Sequence, residues 1–160
     1  MILRRKYNGA KIDTEVVDAG YGLQRTDYRK GEYMDLLKQS NGADVSDLII
    51  YQVSYKLMLE IHKLTLSYPK IEQYSGIADQ LRRSSKSITA NIVEGFGKQS
   101  FYKDDFKRHL IYAVASCDES VLWIRVSYDL GYIPNDCRDY FLSQYKVLVK
   151  QISSFIKSLK

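Results

Sequence analysis

The chain has 160 residues, 45% of them apolar and 27% charged, with only 2 prolines and a formal net charge of +5. That length suits one domain with a small appendage, and those fractions exclude wholesale disorder. No apolar run approaches the roughly 18 residues a membrane span requires, and the opening MILRRKYNGAK lacks the apolar segment of a signal peptide, so a soluble, cytoplasmic protein is expected.

The charge is unevenly placed. Residues 1–47 carry 8 Lys/Arg and 8 Asp/Glu, leaving 16 basic and 11 acidic groups for residues 48–160. A net positive domain favours polyanions or acidic partners. Five of the nine glycines (Gly9, Gly20, Gly22, Gly31 and Gly42) also fall before residue 45, so the chain divides into an extension, 1–45, and a helical domain, 46–160.

In the extension, Tyr7-Asn8-Gly9-Ala10 carries the Asn-Gly step of a type I′ turn, and Ile12, Thr14 and Val16 alternate with polar residues after it. The pattern predicts a β-hairpin of residues 2–7 and 10–17; a flexible tail is the other reading. Residues 28–38 carry a short helical pattern that Asn41-Gly42 ends. Four longer helices are predicted next. The first runs from about Val45 to Tyr68, capped by Asp44 or Ser46 and stopped by Pro69, with Ile50, Val53, Leu57, Ile61, Leu64 and Tyr68 on one face. The second runs from about Gln73 to Phe96 on Ile77, Leu81, Ser84, Ile88 and Ile92, with Gly95 and Gly97 read as its left-handed ending.

The third helix opens at Ser100, places Asp104 and Asp105 in its first turns where the helix dipole favours anions, and ends at Gly131. Its stripe is Phe106, Leu110, Ala113, Cys117, Val121, Ile124 and Tyr128. The fourth follows Pro134 to the end through Phe141, Tyr145, Leu148, Ile152, Phe155 and Leu159. Four helices joined by short loops predict an all-α, antiparallel up-down-up-down four-helix bundle. Small side chains in the second helix (Ser84, Ser85, Ser87, Thr89, Ala90) allow close helix approach. Apolar residues outside the main stripes (Ile111, Leu122 and Val126, then Leu142, Val149 and Ile156) predict a second surface to bury, hence self-association.

Catalytic and metal chemistry find little support. Cys117 and Cys137 have no paired spacing, and His62 and His109 have no Cys or carboxylate at metal-ligand spacing, so no metal or cofactor is expected. Neither histidine completes the Glu-x-x-His of di-iron bundles or the Arg-x-x-x-x-His of helical RNases: five residues before them stand Leu57 and Asp104. Asn91 to Gly97 lacks the Lys-Ser/Thr and the preceding strand of a phosphate loop, so no catalytic residue is assigned. The basic residues point instead to nucleic acid. Arg82, Arg83 and Lys86 lie mid-helix two, Lys98, Lys103, Lys107 and Arg108 around the next hairpin. If they share one side they form a phosphate-binding stripe, with Phe101 and Tyr102 available for base stacking. A solvated helix surface, with Glu119 pairing Arg82 or Arg83, is the alternative.

The run from Gly76 to Lys98 (GIADQLRRSSKSITANIVEGFGK) resembles the hallmark of the 23S rRNA intervening-sequence protein family, roughly Q-[LI]-R-R-A-x-x-S-[IV]-x-x-N-I-x-E-G-[FY]-G-[RK]. A second block, Ala115-Ser116-Cys117-Asp118-Glu119 followed by Asp129-Leu130-Gly131-Tyr132-Ile133, is similar too, as is the entry Asp47 to Gln52. The resemblance spans about 48–160. It implies a short bundle assembling as a homopentamer, and points to Gln80, Arg82, Arg83, Ser87, Asn91, Glu94, Gly95 and Glu119 as motif positions serving fold, assembly or binding. A related group, the accessory variability determinants of diversity-generating retroelements, implies a basic pentamer that binds nucleic acid and a reverse transcriptase. Ser84 stands where the family has Ala, and the extension lies outside the pattern. The expected function is therefore a non-enzymatic oligomeric nucleic-acid-binding protein, for RNA or RNA/DNA, with a reverse transcriptase as the sharper partner. A protein-interaction scaffold without a nucleic-acid role is the alternative.

Overall fold

The structure, a computed structural model, describes residues 44–99 and 102–159. The hairpin and short helix expected in the extension lie outside the described residues. Neither expected cap closes the first helix, which starts at Ile49, four residues later than predicted, without a side-chain cap; Asp44 instead caps a preceding turn, its carboxylate accepting from the Ser46 N–H at 2.8 Å while Asp47 reciprocates toward the Asp44 N–H at 3.2 Å. This box opens a 3-10 turn, Val45–Asp47, and buried Leu48 then leads into α1 (Ile49–Thr65).

Helix α1 stops three residues before the sequence pattern predicts. Pro69 disfavours helical geometry at Tyr68, and the Ser67 and Tyr68 N–H groups turn to the carbonyls of Leu64 and Thr65, tightening the last turn. After a second 3-10 turn, Lys70–Glu72, α2 spans Ile77–Lys98, starting four residues later than expected. The Glu72 carboxylate accepts from the Ile77 N–H at 2.8 Å, so a loop side chain satisfies the helix start.

The end of α2 corrects the sequence reading. Gly95 and Gly97 do not terminate the helix, which continues through both to Lys98; among the described glycines only Gly131 has a positive φ, 73°. Gly131 does what was expected of it. It closes α3 (Lys103–Asp129) with a paired bond pattern: its N–H donates to Tyr128 O, and the Tyr132 N–H reaches back to Ser127 O at 2.8 Å. Helix α4 (Asn135–Ser158) then follows Pro134.

The four helices run up, down, up and down, and their predicted stripes meet in one core. Leu57 and Ile61 of α1, Leu81, Ile88 and Ile92 of α2, Leu110, Cys117 and Ile124 of α3, and Tyr145, Leu148 and Ile152 of α4 are almost fully buried. Apart from exposed Ala90, the small side chains of α2 are spent inside the bundle. Ser120 Oγ donates to Ser84 Oγ at 2.9 Å and Ser116 Oγ to Ser87 Oγ at 3.0 Å, drawing α3 onto α2, while Thr89 Oγ1 donates to Ser54 Oγ at 3.2 Å on α1. The extra apolar set divides in two. Ile111 and Leu122 stand exposed on α3, where Val126 is half-buried, and Leu142, Val149 and Ile156 of α4 are half-buried against the core.

Candidate nucleic-acid interface

The basic residues lie along α2 and at the start of α3. Lys86 and Lys98 are twelve positions apart, about 18 Å at 1.5 Å per residue. Arg82 is committed to the structure: its Nη1 donates to Gln73 Oε1 at 2.9 Å and its Nη2 to the Gln73 carbonyl at 2.6 Å, clamping the loop before α2. Gln73 in turn donates to the Thr65 and Tyr68 carbonyls, so Arg82 holds together the end of α1 and the start of α2. Arg108 pairs with Asp105 at 3.1 Å within α3, and Lys98 pairs with Glu94 within α2. Lys103 opens α3, and Lys107 is half-buried on it. Arg83 and Lys86 differ from these: both are exposed, and neither has an ion pair or hydrogen bond among the described residues. Glu119, expected to meet the arginines, accepts instead from the Trp123 indole N–H at 3.2 Å on its own helix. Gln80 is half-buried near the start of α2, and exposed Tyr102 precedes α3.

Four motif positions converge with residues of α3 in one polar chain. Asn91 Nδ2 donates to the Ser87 carbonyl at 2.8 Å and to Ser87 Oγ at 3.2 Å, which leaves Asn91 Oδ1 facing His109 Nδ1 at 3.2 Å. Lys98 Nζ lies 3.3 Å from His109 Nε2, and an ammonium can only donate. With Lys98 donating to Nε2, Nδ1 is the ring nitrogen that donates to Asn91 Oδ1. Every member finds a partner, from Ser116 through Ser87, Asn91 and His109 to Lys98 and Glu94. Glu94 is held below the usual carboxylate range by its bond to Lys98. Both ring nitrogens of His109 are engaged, so this imidazole joins α2 to α3.

Gly95 makes the chain possible. A Cβ at this position would lie 2.7 Å from His109 Cβ and 2.8 Å from Phe106 Cδ2, so only a residue without a side chain lets α3 approach here. Sequence reasoning placed Asn91, Glu94 and Gly95 in the motif but gave His109 no role; its partners lie across a helical hairpin, and no local spacing announces them.

Two buried thiols remain. Burial pushes the Cys117 thiol up to about 12, with Asp118 adding to it, and the Cys137 thiol up to about 11, with Asp136 adding to it. Among the described residues no three His, Cys, Asp or Glu side chains gather to hold a metal ion, and no helix is long and apolar enough to cross a membrane.

Two surface features complete the face of the bundle. Exposed Ile111, Ala115 and Leu122 recur at i, i+4 and i+11 on one outward line of α3, interrupted at i+7 by exposed Asp118; exposed Tyr112 lies beside it, and α2 adds exposed Ala90 and Val93. On α4, exposed Lys146, Lys150 and Lys157 form a second line that the sequence reading passed over. The signal was present: no Asp or Glu occurs after Asp139.

The family model described as 23S rRNA-intervening sequence protein matches residues 46–154. Among solved structures, a protein of unknown function from the S23 ribosomal protein family of Bacteroides thetaiotaomicron superposes with a TM-score of 0.61 at 23% identity, covering 68% of this chain and 96% of that one. The likeness shows a shared fold. No curated protein matches the sequence.

Proposed function

Because the chain belongs to the 23S rRNA-intervening sequence protein family, we propose that it is a non-enzymatic RNA-binding protein that works as an assembly of identical subunits. The observation that carries this reading is the pair Arg83 and Lys86, two exposed cations on α2 with no acidic partner among the described residues. Cations left unpaired are available to displace the counterions of a phosphate backbone, the dominant sequence-independent source of affinity for nucleic acid. The apolar line of Ile111, Ala115 and Leu122 on the adjacent helix supports the assembly part of the reading, since leaving it in water forgoes roughly 25 cal/mol per Å². In the pentamer that the sequence resemblance implies, a formal +5 per chain becomes about +25, enough to turn a weak site on one subunit into a strong field over the ring.

The test is fluorescence anisotropy with labelled single-stranded RNA and DNA across a salt series, alongside light scattering for native mass. Binding that falls linearly in log salt, carried by an oligomer, is expected. Neutralising Arg83 and Lys86 together (Arg83→Gln, Lys86→Gln) should reduce the salt slope by about 1.4 for each subunit engaged. An oligomer that ignores both nucleic acids at low salt refutes the reading. Salt-tolerant capture of a protein through residues 1–45 would establish the scaffold in its place.

A further inference from the structure

We infer that the outward face of α4 is a second phosphate-binding track, on which Lys146, Lys150 and Lys157 receive the backbone of a single-stranded RNA. The inference deepens the RNA-binding reading and rests on it. At about 100° per residue the three lysines fall within roughly 40° of one another, and they extend over about 16 Å of helix. All three are exposed, and none has an ion pair or hydrogen bond among the described residues. Core residues Phe141, Tyr145, Leu148 and Ile152 occupy the opposite side, so the lysine line points straight out from the bundle.

An ordinary solvated helix surface mixes both signs, as much of this bundle outside Arg83 and Lys86 does. Lys56 meets Glu60 on α1, Arg108 meets Asp105 on α3, and the first turns of α4 pair Arg138 with Asp139 at 2.8 Å. Beyond Asp139 that mixing stops. Lys146 and Lys150 stand one turn apart as a like-charge pair, which disfavours an isolated helix by a few tenths of a kcal/mol. The helix dipole explains only part of the line: Lys157 lies in the last turn, where a cation complements the terminal carbonyls, but Lys146 and Lys150 are mid-helix. Exposed Ser154 adds a hydroxyl donor beside the cations.

The position of α4 bears on the assembly as well. It packs against α3 and α1 and lies diagonal to α2, so an assembly that buries the apolar residues of α3 and keeps the outward face of α4 in water gains three cations per copy on its outside.

The experiment compares the full chain with a Lys146→Gln/Lys150→Gln/Lys157→Gln variant, measured by anisotropy on a labelled single-stranded RNA and by co-sedimentation with vesicles of phosphatidylcholine and phosphatidylserine. Removing three phosphate contacts should lower the slope of log affinity against log salt by about 2 for each subunit engaged, and weaken binding more at 50 mM than at 200 mM salt. Unchanged helicity and native mass accompany the expected result. RNA binding with an unaltered slope in the variant overturns the α4 track while leaving the general reading intact. Binding to the anionic vesicles but not to RNA, lost in the variant, overturns both and makes the stripe a lipid-headgroup surface.

Discussion

Replacing Gly95 by Ala isolates the packing that joins α2 to α3. The new Cβ would stand 2.7 Å from His109 Cβ and 2.8 Å from Phe106 Cδ2, against the 3.5–4.0 Å of an ordinary carbon contact, so the helices must separate by about 1 Å locally. Such overpacking costs about 1–3 kcal/mol. Alanine also gains about 1 kcal/mol over glycine within a helix, which masks part of the penalty. Gly97 supplies the control: it lies in the same helix two residues on, and nothing stands within 4 Å of its would-be Cβ. Gly97→Ala therefore takes the propensity gain alone. Subtracting one variant from the other cancels that gain and leaves the overpacking, about 1–3 kcal/mol, or roughly 4 °C in Tm per kcal/mol for a chain of this size. Urea unfolding followed by circular dichroism at matched protein concentration reads both. Phe106→Leu in the Gly95→Ala background should recover part of the loss, as coupled neighbours do. Equal stabilisation by the two alanines would refute the close approach of α3, and with it the account of the His109 chain.

Arg82 and Arg83 are adjacent in sequence but should behave oppositely. Arg82→Ala removes two hydrogen bonds to Gln73 and should cost about 1–2 kcal/mol and speed proteolysis of the loop before α2, while Arg83→Ala stays within about 0.5 kcal/mol but weakens RNA binding. A reversal of those two phenotypes would show that the clamp has been misplaced. The thiols give a pH prediction. Their folded values lie above the ordinary 9.0, so the stability they contribute is complete below that value and is lost as pH rises toward about 11 for Cys137 and about 12 for Cys117. Native protein at pH 8 should react slowly with a thiol reagent and release two equivalents only when unfolded; fast native labelling of Cys117 would contradict its burial.

The helical stripes were legible because burial repeats at the helical period: Leu57 and Ile61, Ile88 and Ile92, Leu148 and Ile152 all reach the core that their spacing predicts. Gly131 was legible for a local reason, since ending a helix requires only a left-handed residue in the right place. Gly95 looked the same in sequence and was misread, because a glycine needed for close approach between helices differs from a terminator only in what packs against it. His109 was missed likewise, since Asn91 and Lys98 reach it across a helical hairpin. Arg82 shows the limit for charged residues: its composition reads as basic surface, and only the fold of the loop shows that Gln73 holds it. The α4 lysines required a different question, which is where the acids stop.

Glu72 closes both loops at one end of the bundle. One carboxylate oxygen accepts from the Ile77 N–H at the start of α2, and the other accepts from the Tyr132 hydroxyl at 2.9 Å, sixty residues away in the α3–α4 connection. That bond also raises the Tyr132 phenol above its ordinary range, so strong alkali works against it. At this end of the bundle the two loops are thereby latched to each other through a single carboxylate. A latch of this kind makes the loops at this end open together, and slow-exchanging amides at Ile77 and Tyr132 should lose protection in one step.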